Sequence, residues 1–242
     1  MAEKPGDQRH WAEVAPEWIA WARAPNHDAF WAYRKAFNDF VGAGSDNALE
    51  VGCGEGRVSR ELKALGHAVT ASDAVAQLVK AAKEMDSAHH YVVSQITRLP
   101  FPNSSFDLIV AYNVLMDVED VPNAIAEVRR VMRPTGRLII SIVHPLADRG
   151  RFTGTGGDAI FEIKDSYFGR HRFQTTDQHN GLIMRFAGWS QPLQDYAFAL
   201  ECAGLAITGI KEPIPATDAE YARFSSWTRI PLFLWITARP YA

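Results

Sequence analysis

Residues 50–57 read Glu-Val-Gly-Cys-Gly-Glu-Gly-Arg, between an apolar run and a segment of helical periodicity. Glycines at such a junction permit a tight turn and let a ligand approach bare backbone, while the helix that follows offers oriented N–H donors. Gly52, Gly54 and Gly56 depart from the G-x-G-x-x-G spacing that seats a pyrophosphate, because Arg57 stands where that pattern has its last glycine. Glu50 lies two residues before the first glycine. A negative charge there suits a cationic ligand end, an ammonium or a sulfonium, better than paired phosphates. It can equally serve as a buried cap for loop amides. Asp73 follows Gly52 by 21 residues and ends the next apolar run. A carboxylate there can accept hydrogen bonds from a ribose diol. Loop and acid together point to a nucleoside-type cofactor.

Histidine is the side chain whose ordinary pKa suits proton removal near neutrality. His144, immediately after an apolar run, is the candidate base, with packing before Pro145 as the bland alternative. His27 and His179 are weaker candidates for contact with a substrate. Tyr167, Phe168, His171 and Trp189 are further candidate substrate contacts, and their mostly apolar character suits a planar or hydrophobic acceptor. No His/Cys/Asp/Glu cluster has metal-ligand spacing.

The elements that must position these groups alternate. Short apolar runs at 48–51, 67–70, 91–93, 108–110 and 138–143 are separated by helical patterns, the signature of βαβ units and a parallel sheet. Pro134-Thr135-Gly136 reads as a turn into the fifth strand, and Ser190 as the cap of a later helix ending at Gly204. Two final strands follow at 205–210 and 232–236. Residues 1–44 carry Trp11, Trp18, Trp21 and Trp31 and read as a helical cap. The first three tryptophans share one helical face, which favours core packing. Residues 145–190, rich in glycine and aromatics, are too long for a plain loop and read as a lid with short elements of its own. The expected organisation is a cap at 1–44 and an α/β domain at 45–242 that contains the lid.

Composition bounds the partners. The 242 residues are 47% hydrophobic and 22% charged, with a net charge of −3, which describes a globular chain without a broad electrostatic grip on nucleic acid or an anionic membrane. Two cysteines build no disulfide scaffold, the polar start MAEKPGDQRH shows no apolar leader, and the longest apolar stretch falls far short of the ~20 residues a bilayer span needs. A cytoplasmic location is the expectation; oligomeric state is open.

Leu49 to Leu62 (LEVGCGEGRVSREL) resembles the S-adenosylmethionine-binding motif of class I methyltransferases. Asp73 matches the ribose-binding acid of that family. Leu99-Pro100-Phe101, the run Ser105 to Val110, and Arg133 to Leu138 resemble its segments around the fourth and fifth strands. The likeness covers roughly residues 45–145 and is strongest to small-molecule members of the ubiquinone and menaquinone biosynthesis type. It implies a Rossmann-like, seven-stranded, mainly parallel sheet of order 3-2-1-4-5-7-6 with the seventh strand antiparallel. It also implies a methyl transfer that converts S-adenosylmethionine to S-adenosylhomocysteine. Gly52, Cys53, Gly54 and Gly56 would line the methionine moiety, with Glu50 holding the loop or the amino group. Asp73 would take the ribose and Ala74 would lie on the adenine. Gln95, followed by Ile96, stands where the family often has an acid facing the adenine amino group. Asn113 and Met116 would flank the methionine end. The acceptor would be a small molecule of secondary or cofactor metabolism, methylated on oxygen in preference to nitrogen or carbon if His144 is the base. A nicotinamide-dependent oxidoreductase and a non-catalytic S-adenosylmethionine-binding module are the alternatives.

Overall fold

The computed structural model describes residues 6–154 and 158–241. The first five residues, part of the polar start, and the glycines at 156 and 157 lie outside them. Two helices come first, α1 (Gly6–Arg23) and α2 (Ala29–Val41), followed by β1 (Asn47–Val51), α3 (Arg57–Ala64), β2 (Ala68–Asp73), α4 (Ala76–Glu84), β3 (His90–Val93), β4 (Phe106–Tyr112), α5 (Val121–Val131) and β5 (Met132–Val143). The segment after β5 holds β6 (Gly150–Phe152), β7 (Phe161–Ile163), β8 (His171–His179) and β9 (Leu182–Ser190). The chain then returns to the core through α6 (Leu193–Cys202), β10 (Leu205–Lys211) and β11 (Phe233–Pro240).

The main sheet has seven strands in the order β3-β2-β1-β4-β5-β11-β10. The first five are mutually parallel, and β11 runs antiparallel to both β5 and β10. With the four lid strands set aside, this is the order implied by the methyltransferase resemblance.

Period-two alternation divides the core into two layers. Leu49, Val51, Ile109, Ala111, Leu138, Ile140 and Ile142 face α5 and α6. Ala48, Leu108, Val110, Ile139 and Trp235 face α2 and α3. The central strands are buried on both sides, as parallel strands under two helical layers must be.

Some boundaries differ from the sequence reading. The turn at Pro134-Thr135-Gly136 is absorbed into β5: Phe106 pairs with Met132 and Leu108 with Arg137, so residues 133–136 bulge from a continuous strand. Ser190 ends β9 instead of capping α6, whose cap residue is Pro192. A strand pairing through Ser190 to His171 has claimed the residue before the helix can use it. The last strand runs on to Pro240 because the register with β10 continues to Leu205.

The lid is two antiparallel pairs, β6 with β7 and β8 with β9. The longer hairpin packs on α1, where Met184, Leu182 and Phe186 meet Val14, Trp11, Trp18 and Trp21. The other side of α1 sits on α4 through Ala15, Ile19, Val75 and Leu78. Helix α1 is therefore held between lid and core, above the carboxyl ends of β1 and β2. No described helix is long and apolar enough to cross a membrane.

Candidate active site

The glycine turn begins as β1 ends. Gly52 and Gly54 have φ of +69° and +56°, in the left-handed region where a side chain is strained. A Cβ at Gly52 would lie 2.2 Å from a Val114 methyl, and one at Gly54 would lie 2.8 Å from Trp18 Nε1. Bare backbone therefore forms the floor here, with the Trp18 ring close above it. Gly56 does something else. It occupies the N-cap position of α3 with φ +90°, and a Cβ there would collide with Ser87. It lies outside the cavity lining, so its glycine serves helix packing, not ligand contact.

Asp73 closes the loop. Its Oδ2 accepts the Gly54 N–H at 2.9 Å and its Oδ1 accepts the Val75 N–H at 2.8 Å. Burial raises its pKa, and these backbone donors oppose the shift. Glu50 is 1% exposed, and its carboxyl accepts the Ser59 hydroxyl. Burial pushes Glu50 up to about 8, against that hydrogen bond and with Asp73 and Glu55 adding to the shift. Cys53 is buried and its thiol is held well above the usual range by desolvation.

One cavity of about 860 Å³ joins these groups, toward the upper end of the ~300–1,000 Å³ typical of small-molecule sites. Glu50, Gly52, Cys53, Gly54, Asp73 and Ala74 line it from the β1 and β2 ends. Gln95 and Ile96 line it after β3, and Asn113 and Met116 after β4. Asn113 is fixed by its N–H to the Ser141 carbonyl at 2.7 Å and by the Ser141 hydroxyl on its Oδ1 at 2.8 Å. From α1, Gln8 donates to the Ala74 carbonyl at 2.8 Å and accepts from Gln95 at 3.0 Å, so the cap reaches into the same region.

The far side of the cavity is apolar and aromatic. Phe30, Tyr112, Val143, Phe173, Phe224 and Phe233 line it, and Asp148, Asp177 and Arg223 supply charge. Arg57, in the position a dinucleotide fingerprint gives to glycine, donates to Asp28 at 2.6 Å. Its guanidinium lies 4.8 Å from the Trp18 ring and 4.4 Å from the Phe30 ring, which ties the cap to the loop.

His144 does not line this cavity. Its Nδ1 accepts the Leu146 N–H at 3.1 Å and its Nε2 meets Glu212 at 3.1 Å, so both ring nitrogens are engaged in shaping the turn after β5. The weaker candidates are also placed elsewhere. Trp189 donates to Asp7 at 3.1 Å beneath the Arg170 guanidinium, an anchor of the lid. The Tyr167 hydroxyl accepts the Leu193 N–H at 3.1 Å, and Phe168 is 69% exposed. His171 bonds the Phe168 carbonyl at 3.0 Å. His27 is buried edge-on to Trp21 and 5.0 Å from the ring of His179 at the hairpin tip; neither lines the cavity. Desolvation lowers the pKa of both.

Alternation along β8 carries what the sequence reading missed: Phe173, Thr175 and Asp177 are spaced by two and all face the cavity. Gln8 and Asp148 carried no comparable local signal. Among the described residues no group of three or more His, Cys, Asp or Glu is placed to hold a metal ion.

Residues 49–140 match a family model described as a methyltransferase domain. Over these residues the chain is similar to a methyltransferase domain. S-adenosylmethionine is the cofactor of such a domain, and the residues present fit it: a side-chain-free floor at Gly52 and Gly54, and a buried acid at Asp73 beside it. The match extends to a malonyl-[acyl-carrier protein] O-methyltransferase of Serratia marcescens, 33% identical over 123 residues, or 49% of this chain and 48% of that protein. A demethylmenaquinone methyltransferase of Tropheryma whipplei is 30% identical over 122 residues, 49% of this chain and 50% of that one. The chain thus spans about half the length of the curated relatives it matches. The chain has its fold in common with an S-adenosylmethionine-dependent methyltransferase from Mesorhizobium loti, at a TM-score of 0.65 and 24% identity over 88% of this chain and 98% of that one.

Proposed function

We propose that this protein transfers a methyl group from S-adenosylmethionine to a small apolar or aromatic acceptor. The observation that carries the reading is the two-sided cavity, with a glycine floor and buried acids at the β1 and β2 ends and an aromatic chamber beyond β4 and β5. When bound, the cofactor supplies an activated methyl group on a sulfonium. The protein's task is then to orient the reactants and exclude water.

In this reading Asp73 receives the ribose hydroxyls while bracing the loop. Ala74, Gln95 and Ile96 border the adenine, with Gln95 offering its amide without charge assistance. The turn at Gly52, Cys53 and Gly54 lines the methionine portion, and Glu50 lies beneath it. Asn113 and Met116 flank the methionine end. Helix α1 and the β8–β9 hairpin cover the chamber and keep water out. Some relatives are named O-methyltransferases, but they match only about half of this chain. The base on which a preference for oxygen relied, His144, is bonded into the turn and does not line the chamber, so the chamber's own groups bear on the acceptor atom.

Calorimetric titration with S-adenosylhomocysteine and with NADH tests the cofactor. The expected result is saturable binding of the former alone, and binding of NADH in its place would refute the reading. Transfer of a labelled methyl group across a panel of small acceptors separates an enzyme from a module that only binds the cofactor.

A further inference from the structure

The ionisable groups of the chamber are unevenly committed. Arg57 and Arg223 line it, and both cations are already engaged: Arg57 with Asp28 and two aromatic faces, Arg223 with the His27 carbonyl. The carboxylate of Asp148 forms no salt bridge among the described residues; Ser190 and, at longer range, Arg149 are what favour its charged form. It sits in the turn of residues 147–149, five residues past the end of β5, and lines the chamber beside Val143. His144 builds that turn, its carbonyl accepting the Asp148 N–H at 3.1 Å while its ring accepts the Leu146 N–H. Arg149, next in the chain, turns away and donates to the carbonyls of Gly169 and Ser190 at 2.8 and 3.3 Å.

We propose that the acceptor is an amine on a planar or apolar frame, and that Asp148 receives its ammonium group and takes one proton from it. The inference rests on the methyl-transfer reading above and adds the acceptor class and the residue that meets it. The proton step balances simply: an ammonium N–H passes its proton to the Asp148 carboxylate, leaving a neutral amine with a free electron pair and a neutral carboxylic acid. The charge inventory favours nitrogen, because the carboxylates lining the chamber, Asp148, Asp117 and Asp177 among them, outnumber its two arginines, Arg57 and Arg223. The aromatic walls at Tyr112, Phe173, Phe224 and Phe233 favour a cation over a bare anion for the same electrostatic reason.

Burial pushes the Asp148 carboxyl up to about 7, with Ser190 and Arg149 opposing the shift, so it can accept and release a proton near neutrality. Tyr196 on α6 feels Asp148 together with Asp117, Arg170 and Asp195. Asp117 and Asp177 also line the chamber, and desolvation raises the Asp117 pKa well above the ordinary carboxylate range.

The test uses the full chain saturated with S-adenosylhomocysteine and titrated with three probes of similar shape: 2-phenylethylamine, 2-phenylethanol and phenylacetate. The amine is expected to bind about 10- to 100-fold more tightly than the alcohol, the scale of a hydrogen bond to a charged group, with phenylacetate weakest. In Asp148→Asn the amine's advantage should shrink to about twofold, a difference near 0.4 kcal/mol. Infrared spectra of aspartate-labelled protein should show the Asp148 carboxylic-acid band titrating at lower pH once the amine is bound. Equal or weaker binding of the amine in the unaltered protein, or an advantage untouched by Asp148→Asn, overturns the inference. Failure of S-adenosylhomocysteine to bind overturns the methyl-transfer reading and this inference with it. Retained binding without the amine preference overturns this inference alone.

Discussion

The backbone N–H of Gly54 donates to Asp73 Oδ2 at 2.9 Å, so the carboxylate that ends β2 also sets the shape of the glycine turn that ends β1. Parallel pairing brings the two together, since Val51 and Ser72 are in register one residue before each feature. Asp73 thus braces the loop, and the ribose contact proposed for it would be a second role. Asp73→Ala should weaken S-adenosylhomocysteine binding by about 1–3 kcal/mol, the scale of lost charge-assisted hydrogen bonds. Calorimetry reads this directly, and an unchanged Kd would remove Asp73 from the ribose.

The two loop glycines should respond differently to alanine. At Gly52 the new methyl meets both Val114 Cγ2 and Val114 Cβ, at 2.2 and 2.7 Å, on a backbone already at positive φ. Gly52→Ala should cost about 2–4 kcal/mol of stability, combining overpacking with backbone strain. At Gly54, also at positive φ, the nearest atom is Trp18 Nε1 at 2.8 Å, a milder clash than that at Gly52. Gly54→Ala should therefore lose less stability than Gly52→Ala, and cofactor affinity besides. Thermal unfolding beside titration separates the two, and equal losses of stability would contradict the assignment.

Buried acids make the fold sensitive to alkaline pH. Glu50 is raised from 4.5 to about 8 and Asp148 from 3.8 to about 7, so between those values the folded chain holds protons that the unfolded chain has released. The contribution of these two carboxyls to stability then falls as pH rises through roughly 5 to 8, while the lowered pKa values of His27, His144 and His179 act in the opposite sense below 6.5. Glu50→Gln should flatten that slope and, above pH 8, stabilise the protein by roughly 1–3 kcal/mol, each pKa unit being worth about 1.4 kcal/mol. A pH slope of the melting temperature that Glu50→Gln leaves unchanged would contradict the raised pKa of that carboxyl.

His144→Ala tests whether that ring shapes the turn or touches the cofactor. Removing its bonds to Leu146 and Glu212 should lower the melting temperature by about 2–4 °C, the equivalent of roughly 1 kcal/mol in a chain this long. Affinity for S-adenosylhomocysteine should stay within about twofold, as for residues away from a binding site. A tenfold loss would place the ring against the cofactor.

Much of the core was legible because it is local. The apolar runs from Ala48 to Val143, the glycines between β1 and α3 and the acid at the end of β2 depend on neighbours within one βαβ unit, where hydrophobic period and turn chemistry act directly. The cavity's first wall, from Glu50 to Met116, follows from the same local rules. The opposite wall does not. His144 and Asp148 stand four residues apart after the same strand, and only the turn between them decides which side chain enters the chamber. Trp18 and Trp189 are both aromatic residues outside the sheet, yet one covers Gly54 and the other anchors the lid to Asp7.

Sequence alone determined the sheet's central strands, the glycine turn after β1 and the acid that ends β2, because adjacent residues specify these through φ preference and burial. Tertiary structure alone decided what faces them. The contacts that join α1 to the β8–β9 hairpin over that floor link residues more than 100 positions apart, such as Asp7 with Arg172 and Glu17 with Arg185. Periodicity within a segment does not encode such pairings. Their side chains acquire a direction only once the sheet has closed beneath them.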